Sequence, residues 1–161
     1  MDVNAEINGW KIFVHPCFSS QLEVLVEEVE ALKEKNPEGF HKKAATKLLA
    51  AVLKVIHSEI CADPSQVKFR QGSTLGDANK HWFRAKFLMQ YRLFFRYSEP
   101  HKTIILAWIN DEDTKRAYGS KRDAYKVFAA MLASGHPPSD WDELLQQSQV
   151  AQRLAHVASQ S

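Results

Sequence analysis

The chain has 161 residues, 45 % of them apolar, which suits one compact domain with a real core and room for a small appendage. Its formal net charge of +2 conceals an uneven distribution: residues 1–65 hold 7 Lys/Arg against 10 Asp/Glu, residues 66–135 hold 13 against 6, and residues 136–161 hold 1 against 3. Cys17 and Cys61, with no CxxC spacing, exclude a disulfide framework and a cysteine zinc site, and no apolar run approaches the roughly 18 residues of a membrane span.

In chain order, Trp10 to His15 alternates well enough for a first strand, closed by Pro16. A helix is expected next, capped by Ser19 or Ser20, with Leu22, Leu25, Val26, Val29 and Leu32 on one stripe. After the turn at Asn36–Gly39, Ala44, Ala45, Leu48, Leu49, Val52, Ile56 and Ile60 recur at three and four, which predicts a second helix from His41 to Ile60. Two helices joined by so short a turn pack as an antiparallel hairpin. Beyond Pro64 the period falls to two, giving strands at Val67–Arg70, Trp82–Leu88, Gln90–Ser98 and Thr103–Asn110. The last is apolar on both faces and therefore expected to be central. Ser120–Asp123 reads as a capping box for a helix that stops at Gly135, and Ser139–Asp142 starts another through Leu144 and Leu145. From Gln146 to Ser161 the composition is that of a polar tail, a weak helix or frayed chain.

The strands at 82–97 carry the chemistry. Period two separates Phe83, Ala85 and Phe87 from Trp82, Arg84 and Lys86, and Tyr91, Leu93, Phe95 and Tyr97 from Arg92, Phe94 and Arg96. Four cations and two aromatic rings then share one sheet surface. Like charges directly opposite destabilise a sheet by roughly 0.2–1 kcal/mol, so the arrangement points to an anion lying across them, with a phosphate backbone the obvious candidate. A solvated basic face is the competing reading. Trp82 and Phe94 are placed either to stack on bases or to be covered by the final helix.

The order strand, helical hairpin, antiparallel strands and closing helix, with the string Tyr91 to Tyr97, resembles the RelE/ParE superfamily of bacterial toxins, and more specifically the YhaV toxin family. The resemblance rests on His15-Pro16-Cys17-Phe18, Lys43 to Leu49, Tyr91 to Ser98, Asn110 to Glu112, and the run from Tyr118-Gly119 through Asp123 and Tyr125 to Pro138 and Asp140-Trp141. It implies an α+β, RelE-like fold in which an N-terminal helical hairpin packs on a small, mostly antiparallel β-sheet with C-terminal helices. One toxin domain over residues 1–145 is expected, with residues 146–161 outside it.

It further implies a ribosome-associated mRNA endoribonuclease, the toxin of a type II pair, held inactive in a hetero-oligomer by a PrlF-type, AbrB-like antitoxin. The first helix and the Trp141 region are the places where that partner is expected. Superfamily members cut RNA with basic and tyrosyl side chains. By that resemblance Arg84, Lys86 and Arg92 fall at catalytic positions, and Arg116 and Tyr118 are the nearest matches to an arginine and tyrosine after the last strand, where an acidic turn alters the spacing. Arg70, Lys80, Trp82 and Arg96 are assigned to RNA binding.

Such a reaction lets a ribose 2′-hydroxyl attack the adjacent phosphorus, with guanidinium forks gripping the phosphate oxygens. Lys86 serves as base if its neighbours lower its pKa, and Tyr118 moves a proton or stacks on a base. His81, His101 and His136 lie in loops as polar surface. No metal or other cofactor is predicted: Asp111, Glu112 and Asp113 are adjacent and do not converge without partners elsewhere, and Gly72 and Gly76 lack the Walker spacing. Two other classes remain open, a ParE-like gyrase poison without nuclease activity and a non-catalytic RNA-binding module. The N-terminus lacks the features of a signal peptide, so a cytoplasmic protein is expected.

Overall fold

A computed structural model describes residues 6–111 and 123–151. Its described strands form one sheet in the order β1-β2-β5-β4-β3, with β1 at Glu6–Ile7, β2 at Trp10–Val14, β3 at Phe83–Phe87, β4 at Tyr91–Ser98 and β5 at Thr103–Ile109. Only the β2–β5 pair is parallel. The expected central strand is β5, buried at every position.

Helices cover both faces. α1 (Pro16–Lys35) and α2 (Ala44–Lys54) lie on one face over Ile12, Leu93, Phe95, Ile104 and Leu106. α3 (Ala124–Ala133) and α4 (Trp141–Gln147) lie on the other, where Phe128 and Leu144 meet Trp82, Phe94, Ile105 and Trp108. The strict alternation read for β5 breaks at a register shift between Phe94 and Phe95 of β4. Phe94 pairs with Trp108 and Phe95 with Leu106, so Ala107 is the extra residue and Ala107 and Trp108 both join the α3 side.

Several boundaries differ from the sequence reading. α1 begins at Pro16, because proline is preorganised for the first helical position and the ring of His15 caps the helix by accepting the Cys17 N–H at 3.1 Å. The expected second helix is α-helical only to Lys54 and continues as a wider π turn over Val55–Ile60. The strand expected at Val67–Arg70 is a single 3-10 turn, Val67–Phe69, which among the described residues meets the ladder only through a bridge from Arg70 to Phe83. Asp123 caps α3 by accepting the Tyr125 N–H, while Ser120 of the expected capping box lies outside the described residues.

The polar tail is also corrected. β6 (Gln149–Val150) pairs antiparallel with β2, and Ala151 N donates to Ile12 O at 3.0 Å, so the folded unit runs past residue 145 to at least Ala151. Two more hydrogen bonds hold this end: His15 Nε2 meets Gln147 Oε1 at 2.8 Å, and Ser148 Oγ donates to Leu144 O at 2.6 Å. No helix among the described residues is long and apolar enough to cross a membrane.

Candidate functional site

β3 and β4 pair antiparallel with Arg84 against Phe94 and Lys86 against Arg92, so the predicted cationic face exists. What covers it differs from expectation. α3 packs over one end of this face and carries Tyr125 to the two arginines. The Tyr125 hydroxyl accepts a hydrogen bond from Arg84 Nε at 2.7 Å and from Arg92 Nε at 3.2 Å. The remaining partners are carbonyls: Arg84 Nη1 donates to Lys68 O at 2.8 Å, and Arg92 Nη1 to Met89 O at 2.9 Å and Tyr91 O at 3.0 Å. Both guanidinium groups are buried, 8 % and 6 % exposed, yet among the described residues no carboxylate pairs with them.

Two like charges held on one oxygen repel by about 3 kcal/mol at an effective dielectric near 20, and neutral oxygens offset this only in part. Nη2 of each arginine has no hydrogen-bond partner among the described residues. A phosphate would supply a negative charge and further acceptors for both forks. Lys86 stands exposed on the neighbouring strand, opposite Arg92, with its ammonium outside the three ion pairs seen among the described residues.

The turn that presents Arg92 is strained. Leu88 and Met89 have φ of 44° and 65°, in the left-handed region that favours glycine, and their side chains are exposed. Asn110, just past β5, holds the other side of the site: its Oδ1 accepts the Arg92 N–H at 2.7 Å and its Nδ2 donates to Gln90 O at 2.9 Å.

A polar cleft of about 410 Å³ opens beside Arg84 and Lys86, bounded by Glu59, Val67, Lys68 and Arg70. A second, larger and mainly apolar groove of about 780 Å³ runs between α1 and α2 to Leu88 and Tyr91, on the opposite face of the sheet.

The remaining sequence-predicted residues separate into three groups. Arg70 and Lys80 are exposed cations, Lys80 lying 3.7 Å from Asp77. Trp82 is corrected: its ring is wholly buried, edge-on to Phe128 at 5.1 Å, because α3 occupies the surface where a base would stack. Phe94 is buried for the same reason, stacked at 4.3 Å on Phe128. Arg96 is half-buried between Trp82 and Trp141, 5.7 and 5.3 Å from the ring centres, and donates to Ser139 O. Burial lowers its pKa and nearby Asp140 opposes that change. It therefore ties the α4 entrance to the sheet, since Ser139 Oγ also accepts from Trp82 Nε1 at 3.2 Å. Arg116 and Tyr118 lie outside the described residues.

Tyr125 and Asn110 are the site residues that the sequence reading missed. Tyr125 stands at i, i+3 and i+7 with Phe128 and Leu132, so periodicity marks it as core, and its ring is core. The available signal was a phenol on a helix that had to cover a face carrying four cations.

A family model described as a toxin with endonuclease activity, of a toxin-antitoxin system, matches residues 12–149. The chain is 55 % identical over 151 residues to "Toxin YhaV" of Escherichia coli O6:H1 (strain CFT073), covering 92 % of this chain and 98 % of that one. It is 54 % identical, with the same coverage, to "Ribonuclease toxin YhaV" of Escherichia coli K12. No solved structure matches the chain.

Proposed function

The chain belongs to the YhaV toxin family, and from that membership we propose how this ribonuclease toxin cuts its substrate: it clamps an mRNA phosphate between Arg84 and Arg92 and promotes attack by the adjacent ribose 2′-hydroxyl. The observation that carries the reading is the convergence of two buried guanidinium groups on the Tyr125 hydroxyl, with no carboxylate partner among the described residues. Catalysis of this kind rests on preorganised charge, and removing one such donor typically costs about 10² to 10³ in rate.

In this scheme Nη2 of each arginine grips a non-bridging oxygen, and Tyr125 is a positioning residue that holds both forks in one plane of approach. Lys86, the exposed cation of the group, acts as the free amine: it takes the 2′-hydroxyl proton as that oxygen bonds to phosphorus and returns it to the 5′-oxygen as the P–O5′ bond breaks, which leaves a 2′,3′-cyclic phosphate. Arg70 and Lys80 steer the flanking backbone. Arg116 and Tyr118, carried by the family resemblance, act at the same phosphate. The step as proposed uses no metal ion. The folded unit acts as a single domain in the cytoplasm, on mRNA engaged by the ribosome. Its antitoxin is of the PrlF, AbrB-like type and neutralises it by covering or distorting the basic surface. The family description of endonuclease activity favours this over gyrase poisoning.

The test is brief induced expression of the wild type and of Arg92→Ala in a bacterium, with RNA 5′ ends mapped across the transcriptome. New ends within translated frames, seen only with the wild type while the variant keeps its cooperative melt, support the reading. Halted growth with intact transcripts and a DNA-damage response overturns it.

A further inference from the structure

The cleft of about 410 Å³ beside the arginines has an acidic wall. Glu59 projects into it from the π turn, where Gln66 Nε2 holds its backbone carbonyl at 3.0 Å. Its carboxylate meets Lys68 Nζ at 2.9 Å, and both side chains remain partly open to solvent, at 32 % and 55 %. Val67 beside them is 72 % exposed and offers a flat apolar lip. The backbone of Lys68 is in turn the acceptor for Arg84 Nη1. A charge-steering surface needs no carboxylate, and a simple ion pair needs no cleft.

We infer that this cleft is a nucleobase subsite in which the Glu59–Lys68 pair reads the Watson–Crick edge of a guanine next to the scissile phosphate. The inference rests on the nuclease reading above and deepens it. A carboxylate beside an ammonium presents two acceptors and then a donor. Guanine presents the complement, N2–H and N1–H followed by O6, whereas adenine and cytosine offer one amino donor followed by a ring acceptor, and uracil offers a single donor between two acceptors. The volume suits one nucleotide. Arg84 also lines the cleft, so the phosphate of that nucleotide reaches the clamp. Because Lys68 contributes both its ammonium to the base and its carbonyl to Arg84, the correct base and the phosphate clamp share one residue.

The experiment is an NMR titration of the whole protein with the 3′-monophosphates of guanosine, inosine, adenosine, cytidine and uridine, repeated with Glu59→Gln. The expected result is about tenfold tighter binding of guanosine than of adenosine, cytidine or uridine monophosphate, with inosine intermediate because it lacks N2. Amide shifts fall at Glu59, Val67 and Lys68, and Glu59→Gln reduces the preference below twofold while phosphate-driven binding persists. Equal affinities in the wild type, an unchanged preference in Glu59→Gln, or equal loss of all five ligands overturns the subsite. So does a wild-type shift map confined to Arg84 and Arg92, a readout that holds even if the variant does not fold. Transcript cleavage without a guanine preference overturns the subsite alone; a guanine preference with intact transcripts supports the subsite and overturns the nuclease reading.

Discussion

Asn110 and Arg92 are tied by a reciprocal pair of contacts: Asn110 Oδ1 accepts the Arg92 N–H at 2.7 Å, and the Asn110 N–H donates to Arg92 O at 3.4 Å. The residue that follows β5 thus fixes the backbone of the arginine on β4. Asn110 is 2 % exposed, so its amide has no water to replace these partners. Replacing Asn110 by Ala takes the side-chain acceptor from the buried Arg92 N–H, which costs about 1–3 kcal/mol. The expected outcome is a melting temperature lowered by several degrees and cleavage reduced further than the stability loss explains, measured by thermal melts and by cleavage well below the transition.

Tyr125→Phe removes the shared oxygen and keeps the ring, which packs edge-on against Phe94 at 5.6 Å. The two guanidinium groups then face each other without their common acceptor. Cleavage should fall about 100-fold, mostly in kcat, while the melt moves by about 1–2 kcal/mol. A fall confined to KM would show that the hydroxyl acts on binding and not on the aim of the clamp.

Arg96 should behave in the opposite way. It is fixed to Ser139 O and lies between Trp82 and Trp141. Arg96→Ala is expected to destabilise by about 1–3 kcal/mol through lost cation–π and hydrogen-bond contacts. Below its melt it should cut RNA within about tenfold of the wild type, whereas Arg84→Ala keeps the fold and loses cleavage. Side-by-side melts and rates of the two variants decide the assignment.

Stability should fall on the acid side. The pKa of His15 is lowered, chiefly by burial, with nearby His136 adding to the effect and the Gln147 hydrogen bond opposing it. Burial likewise lowers His57 and His81, with Arg96 adding at His81. A histidine whose folded pKa lies below its unfolded value of about 6.5 favours the neutral fold. Its contribution is complete above pH 6.5 and is lost as pH falls through the lowered value. Denaturant melts from pH 8 to 5 should be flat above 6.5 and decline below it. In His15→Asn, which keeps a capping side chain but no titrating ring, the decline should be shallower.

Period two in residues 82–97 put the side chains of β3 and β4 on their correct faces, because a one-residue error would have driven Arg84 and Arg92 into the apolar layer under α1 and α2. It could not tell what lies on each face. Trp82 and Phe94 look like a stacking platform until α3 is placed over them, and α3 is placed by contacts far along the chain. The bulge opposite Phe94 and Phe95 was invisible for a related reason, since β5 is apolar throughout and no polar residue marks where its alternation breaks. Val67–Arg70 alternates as a strand would, but the short segment closes into a 3-10 turn and reaches the sheet only at Arg70. The arginine pair was legible as charge; its geometry depended on a tyrosine hidden by helical periodicity.

The parallel pairing of Ile12 with Ile104 joins the first long strand to one made some ninety residues later. At about 5–20 residues per second of synthesis, the N-terminal helical hairpin waits on the order of ten seconds for the sheet it covers, and the arginines wait longer still for Tyr125. A nascent chain therefore carries no assembled clamp until Tyr125 has been made and α3 can close over β3 and β4.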